Sequence, residues 1–314
     1  MKTVLVTGVG GFCGRHLARK LAEDPDLCVV GAARALSPPN DLSLAAYEVL
    51  DITDAAAVRA VIERVAPDWI FNLAGQVTGV AESLYAANLL GPVNILEAVR
   101  ELGNQAAVLL VGSAAEYGPD HTTPMPLAET VPCHPRGPYA LSKHAMTRHG
   151  LDCVTRLGMK VAIARPFNIV GAGVPRELVV GAILSRIVEA FGRPGHGTIS
   201  IGNIETIRDF IAVEDVCEAF RAILAGGHWG EVFNLSTGVG SPIREILTQL
   251  LARTEGRIGY RVDPALVRPD EVAVFTGDPS RARQAFGFRP CRSLEVSLLA
   301  AWEAAFSAGR AVHS

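Results

Sequence analysis

TGVGGFCG, residues 7–14, stands between the apolar run KTVLV (2–6) and an amphipathic stretch from about Arg15 to Glu23. It places Gly8, Gly11 and Gly14 at GxxGxxG spacing on a strand–turn–helix. The first glycine permits a tight turn, the second lets the backbone approach a pyrophosphate, and the third lets the helix pack closely on the strand. Backbone N–H groups around Gly11, Phe12, Cys13 and Gly14 then face a bound phosphate at the positive end of a helix. The loop predicts a dinucleotide site.

Working outward, short apolar runs alternate with helical patterns: LCVVGAA (27–33), a helix near Asp54–Val65, DWIFNLAG (68–75), a helix near Ala87–Leu102, AAVLLVGS (106–113), a helix near Tyr139–Leu157, and KVAIARPF (160–167). Runs buried on both faces and alternating with helices predict an α/β doubly wound parallel Rossmann sheet, with ligands at the carboxyl ends of its strands. After Pro166 the rhythm breaks: 166–209 and 254–279 are rich in Gly and Pro, and EVFNLSTG (231–238) reads as one more core strand. The expected organisation is a dinucleotide-binding domain over 1–165 plus 210–233. A smaller C-terminal substrate-binding lobe covers 166–209 plus 234–314.

The chain has 314 residues, 49% of them hydrophobic and 19% charged, so it can bury a large core and long disorder is not expected. A net charge of −3 gives no electrostatic reason for a nucleic-acid partner. No apolar run is long enough for a membrane span, and no secretory leader precedes KTVLV. The six cysteines show no CxxC pair or metal-like spacing with histidine, so no metal is expected. His121, His134, His144 and His149 read as surface or satisfied core residues. Together these features predict a soluble cytoplasmic protein.

The end of the second strand decides the cofactor. VVGAAR (29–34) offers Arg34 where an NAD-preferring site offers a carboxylate to the ribose. A guanidinium can bind a 2′-phosphate bidentately, which favours NADP(H) over NAD(H); a solvated surface arginine would read the same. Asp51 and Ile52, in LDITD (50–54), are expected near the adenine, and Leu73, Ala74 and Gly75 of NLAG alongside the cofactor.

Tyr139 and Lys143 stand four apart in GPYALSKHAM (137–146), so both project from one helix face. A tyrosine is a poor acid or base at neutral pH, and an adjacent ammonium is expected to lower its pKa. Lys143 is also placed to hold the nicotinamide ribose. Ser113, at the end of a strand, would hydrogen-bond the reacting oxygen.

With TGVGGFCG, NLAG, Asn88, VGSAAEYG, YALSK, ARPFN and RDF, the chain resembles the extended short-chain dehydrogenase/reductase family over essentially its full length. The resemblance implies a Ser113–Tyr139–Lys143 catalytic triad, a structural Asn88 beside the cofactor, Pro166 at the cofactor, and a nucleotide-sugar substrate. It places Glu116 at the substrate and assigns Asn168 and Arg208 to its diphosphate. For Arg208 a structural ion pair with Asp209 or Glu205 is the alternative.

Sugar 4,6-dehydration, 4-epimerisation and 4-keto reduction share this scaffold. Ala115 stands where the dehydratases carry an acid/base carboxylate, which argues against dehydration. Epimerases generally recycle a tightly held NAD, whereas a reductase consumes NADPH, in agreement with Arg34. The stretches IGNIETIRDFIAVEDV (201–216) and DPALVRPDEVAVFTGDPSRARQAFGFRP (263–290) resemble those of GDP-4-keto-6-deoxy-D-mannose reductases. They imply Arg268 near the diphosphate and Glu271 near the guanosine ribose. Departures at VEDV, Phe288 and Gly75 bear on the base and sugar more than on the chemistry.

The expected reaction is NADPH-dependent reduction of a GDP-linked 4-keto-6-deoxy sugar to GDP-6-deoxy-D-mannose (GDP-D-rhamnose). A 4-epimerase, a reductase of a dTDP-, UDP- or CDP-linked sugar, and a non-catalytic dinucleotide-binding scaffold are the alternatives. The resemblance further implies a homodimer through a four-helix bundle that includes the helix after Tyr139, with Leu141, Ala145 and Met146 as apolar positions.

Overall fold

A computed structural model describes residues 1–119, 122–192, 195–267 and 271–311. His121 and Arg268 lie outside the described residues. In chain order the elements begin with β1 (Lys2–Thr7), α1 (Phe12–Ala22), β2 (Leu27–Ala33), β3 (Ala46–Val49), α2 (Ala55–Val65) and β4 (Trp69–Asn72). Next come α3 (Ala81–Tyr85), a π-helical turn (Ala86–Leu90), α4 (Gly91–Glu101), β5 (Ala107–Val111), a 3-10 turn (Ala114–Tyr117), α5 (Gly137–Leu157) and β6 (Val161–Pro166). The remainder comprises β7 (Asn168–Val170), α6 (Val179–Phe191), β8 (Gly197–Ile201), β9 (Ile207–Ala212), α7 (Val213–Gly226), β10 (Val232–Leu235), β11 (Gly240–Pro242), α8 (Ile243–Ala252), β12 (Ile258–Val262), β13 (Val274–Phe275), α9 (Ser280–Phe286) and α10 (Leu294–Ala311).

Seven parallel strands form the central sheet in the order β10-β6-β5-β4-β1-β2-β3. Strand parity explains its two covered faces. Val4 and Val6 of β1, Phe71, Leu109, Ala162 and Phe233 pack with α1 and α7 on one side. Leu5, Ile70, Val108, Leu110 and Ile163 pack with α2, α4 and α5 on the other. The chain passes from β1 outward to β3, then returns to lay β4 on the opposite side of β1. The strand order therefore reverses at β1 and β4, and a crevice opens at their carboxyl ends. Thr7 is in register with both Ala32 and Asn72, so the glycine loop and Leu73–Gly75 leave the sheet at the same level.

The lobe has its own core: Val170, Ile183, Leu184 and Ile187 with Ile199, Ile246, Leu250 and Leu298. In it β9 pairs with β7 and β13 in parallel and β11 antiparallel, while β8 pairs with β12. The border drawn at 233/234 needs correcting, because β10 pairs with β6 through Leu235↔Pro166 and belongs wholly to the central sheet. The chain also returns to that sheet later than expected: Ala282 of α9 and Phe288 are buried with Phe233 and Leu235.

Three helices start earlier than the sequence reading placed them, α5 by two residues at Gly137. Gly14 lies inside the first turn of α1, which is capped by Gly11. The segment read as one helix from Ala87 begins at Ala81 and is interrupted by the π turn carrying Asn88. The α2 start at Asp54 is as read; its carboxylate caps Ala57 N–H at 3.0 Å. Among the described residues, no helix is long and apolar enough to cross a membrane.

Candidate active site

The glycine loop is packed closely on the backbone around it. Gly8 has φ +68°, and a Cβ there would meet the backbone of Ala74 at 2.6 Å. A Cβ on Gly14 would stand 2.2 Å from the Gly8 carbonyl oxygen. Gly11 caps α1 without a side-chain hydrogen bond, and the first turn carries no acidic residue, so its N–H groups and positive end suit a phosphate. A cleft of about 370 Å³ beside this turn is lined by Gly10, Gly11, Phe12, Arg15 and His16, with Ala172 opposite.

At the adenosine end, Arg34 is exposed at the end of β2. The Asp51 carboxyl is held below its ordinary value first by hydrogen bonds from the Thr53 N–H and hydroxyl, with Arg34 adding its charge. Ile52 turns its side chain into the core against Gly91, so what it can offer a cofactor is backbone. Leu73 N–H bonds the Thr7 carbonyl at 3.2 Å, which fixes the Leu73–Gly75 segment beside the loop.

Asn88 needs a correction as a cofactor contact. It is wholly buried, and its amide is spent on Gln76: Oδ1 accepts from Gln76 N–H and Nδ2 donates to the Gln76 carbonyl, both at 2.9 Å. Nδ2 also reaches Ser142 Oγ at 3.2 Å. These bonds tie the π turn to the Gln76 segment and to α5. They explain Gly75 as well, where a Cβ would lie 2.8 Å from Asn88 Oδ1 and 3.5 Å from Lys143 Nζ.

The residues expected to react gather at the end of β5. Ser113 caps the 3-10 turn, its Oγ accepting from Ala115 N–H at 3.2 Å, and its side chain is near enough to Tyr139 to lower the phenol. Lys143, one turn along α5, donates from Nζ to the Val111 carbonyl at 2.8 Å. Cys13 of the glycine loop lies within electrostatic reach of both Tyr139 and Lys143, and burial pushes its thiol up to about 12.

The electrostatics differ from the expectation that Lys143 lowers the tyrosine. Burial pushes the Tyr139 phenol above its ordinary value, the Ser113 hydrogen bond pulls it partly back, and Lys143 is not among the groups that shift it. Burial likewise pulls the Lys143 ammonium from 10.5 down to about 8. At neutral pH the site therefore holds a protonated phenol, the form that gives a proton away.

Glu116 also needs correcting. It has no exposed surface and cannot touch a substrate. Oε1 accepts from Ser113 N–H at 2.9 Å, and Oε2 accepts from Arg165 Nη2 at 2.9 Å with His144 Nδ1 at 3.6 Å. Burial opposes the charge most strongly, yet His144 and Arg165 together hold the carboxyl below its ordinary range. Arg165 was missed in the sequence. Its signal was a lone charge inside the apolar run VAIARPF, which a buried strand can carry only when paired. Folding also brings donor atoms of Glu116, Cys133 and His144 within 4.8 Å, although their sequence positions show no metal-like spacing.

On the lobe side, Arg208 Nη2 meets Glu271 Oε1 at 3.2 Å, so two expected substrate residues are brought together. The alternative partners lie elsewhere. Glu205 pairs with Arg244, and buried Asp209 accepts from Thr237 N–H and Oγ1 and from Gly238 N–H. Asn168 Nδ2 donates to the Asp209 carbonyl at 2.8 Å, which ties it to the strand carrying Arg208. Pro166 closes β6, buried beside Phe167.

A family model described as the NAD dependent epimerase/dehydratase family matches residues 4–236. The GDP-6-deoxy-D-mannose reductase of Pseudomonas aeruginosa is 30% identical over 96% of this chain and 97% of that protein. The GDP-6-deoxy-D-talose 4-dehydrogenase of Aggregatibacter actinomycetemcomitans is 29% identical over 90% and 91%. The solved structure of RMD from Pseudomonas aeruginosa complexed with NADPH superposes with a TM-score of 0.84 at 26% identity, covering 98% of this chain and all of that one. By sequence and by fold, the chain belongs to the NAD dependent epimerase/dehydratase family.

Proposed function

We propose that this chain is an NADPH-dependent reductase of the C4 ketone of a GDP-linked 4-keto-6-deoxy hexose, forming GDP-6-deoxy-D-mannose. The observation that carries the reading is a half-buried Tyr139, its phenol kept protonated by desolvation, on the same helix as buried Lys143 and within electrostatic reach of Cys13 beside the glycine loop. The cofactor is a nicotinamide dinucleotide: the Gly8 and Gly14 cradle fits a pyrophosphate, and exposed Arg34 with no carboxylate in VVGAAR suits a 2′-phosphate. When bound, NADPH supplies the hydride to C4.

As the carbonyl π pair moves onto oxygen, the Tyr139 O–H bond breaks and its proton goes to the nascent alkoxide. Ser113 Oγ stabilises the same oxygen, and Lys143 is placed to hold the nicotinamide ribose. Arg208, and by resemblance Arg268, supply the positive charge that a chain of net charge −3 must concentrate locally at the diphosphate. Ala115 leaves the 3-10 turn without the carboxylate that dehydration requires.

Exposed Leu90, Leu141 and Leu157 on the π turn and α5 support a homodimer through those helices, whereas Met146 belongs to the core. All six cysteines are free, in keeping with a cytoplasmic site of action. The separate cluster around Val170, Ile187 and Leu250 supports a division into a cofactor domain and a substrate lobe. The test is product analysis after incubation with NADPH and a GDP-linked 4-keto-6-deoxy hexose. Formation of the 4-hydroxy sugar supports the reading, whereas an unreduced ketone or a C4 epimer refutes it.

A further inference from the structure

We infer that Glu116, locked by Arg165, is a positioning residue that fixes the Ser113 peptide and sets a buried negative charge close to Tyr139. The geometry is specific. Glu116 closes a reciprocal cap: Ser113 Oγ accepts from Ala115 N–H, and the Glu116 carboxylate accepts from Ser113 N–H at 2.9 Å. Gly112 makes room for it, since a Cβ there would stand 2.3 Å from Glu116 Oε1. Arg165, itself buried and lying 4.6 Å over the Tyr117 ring, fixes the other oxygen. The serine that meets the reacting oxygen is thus held through its own backbone by a buried ion pair.

A metal does not account for this cluster, because the Arg165 guanidinium already sits on Glu116 Oε2. The titratable groups near Tyr139 come from several elements: Glu116 on the 3-10 turn and Cys13 on α1 act on its phenol, Lys143 lies one turn along its own helix, and Arg165 on β6 and His144 on α5 stand behind Glu116. Negative charge on Glu116 raises the phenol and also favours the charged form of Lys143. Both effects serve proton donation. That direction of transfer rests on the reductase reading; the placement of the charge does not.

The test needs no sugar substrate. Tyrosinate absorbance is titrated on the cofactor-free protein and on Glu116→Gln, each against its Tyr139→Phe counterpart, so that the difference reports Tyr139 alone. Glutamine can still accept from Ser113 N–H but carries no charge, and the Tyr139 titration is expected to move down. Glu116→Asp restores the charge and should return the titration toward the wild-type position. Should the single variant fail to fold, Glu116→Gln with Arg165→Met leaves no unpaired buried charge and is expected to move the phenol the same way. An unchanged Tyr139 titration in the folded variant overturns the inference. A wild type that reduces no 4-keto sugar refutes the reductase reading instead and leaves the titration legible.

Discussion

Replacing Lys143 with methionine is expected to make the cofactor-free protein more stable at neutral pH while abolishing its chemistry. Lys143 is buried, and burial lowers its ammonium from 10.5 to about 8. The folded state therefore gives up this proton before the unfolded chain does. Between pH 8 and 10.5 the unfolded chain binds more protons, so stability rises with pH across that window. Below pH 8 both states are charged and folding carries the full penalty, about 3 kcal/mol at 1.36 kcal/mol per pH unit.

Methionine keeps the length of the stem but leaves the Val111 carbonyl without its 2.8 Å donor, a loss of about 1 kcal/mol. The variant should therefore be more stable than wild type by roughly 2 kcal/mol at pH 7. Wild type recovers roughly 2–3 kcal/mol between pH 7 and pH 10, which closes or reverses the gap. Urea denaturation of both proteins at pH 7, 8.5 and 10, without cofactor, measures the difference directly; titrations of groups not coupled to Lys143 cancel, and Cys13, which is coupled to it, is replaced by alanine in both proteins. A difference that stays constant across this range would refute the claim that Lys143 is held charged at a cost to stability.

Three further outcomes follow from the same geometry. Tyr139→Phe removes the proton donor and should lower turnover by about 10²- to 10⁴-fold, while NADPH fluorescence titration shows affinity within a few-fold of wild type. Arg34→Ala should weaken NADPH by about 10- to 100-fold and leave NADH nearly unchanged, as expected for one charge-assisted phosphate contact; equal weakening of both would assign Arg34 elsewhere. Gly14→Ala drives a methyl to 2.2 Å from the Gly8 carbonyl. It should lose about 1–3 kcal/mol of stability along with dinucleotide binding, and a stable variant binding normally would contradict the close-packed loop.

Much of this was legible because the signals are local. The glycine spacing, the apolar strand runs and the Tyr139–Lys143 pair each depend on residues close in the chain, and the sheet lies where they place it. Glu116 was misplaced because its environment is set by Arg165 and His144, which come from β6 and α5 and meet it only after folding. The Tyr139 phenol was expected lower for the same reason: spacing shows a neighbouring ammonium but not the depth of burial, and burial prevails. The lobe border slipped because EVFNLSTG contains both the last sheet strand and the turn leaving it, and no Gly or Pro separates them. Arg268 lies outside the described residues, so its role continues to rest on the resemblance alone.

The most direct measurement of the central claim is the stoichiometry of cofactor use against a panel of GDP-, dTDP- and UDP-linked 4-keto-6-deoxy sugars. The account predicts one NADPH oxidised for each C4 alcohol formed, fastest with the GDP-linked substrate. Protein that carries tightly bound oxidised cofactor and interconverts C4 epimers with no net NADPH oxidation would contradict it.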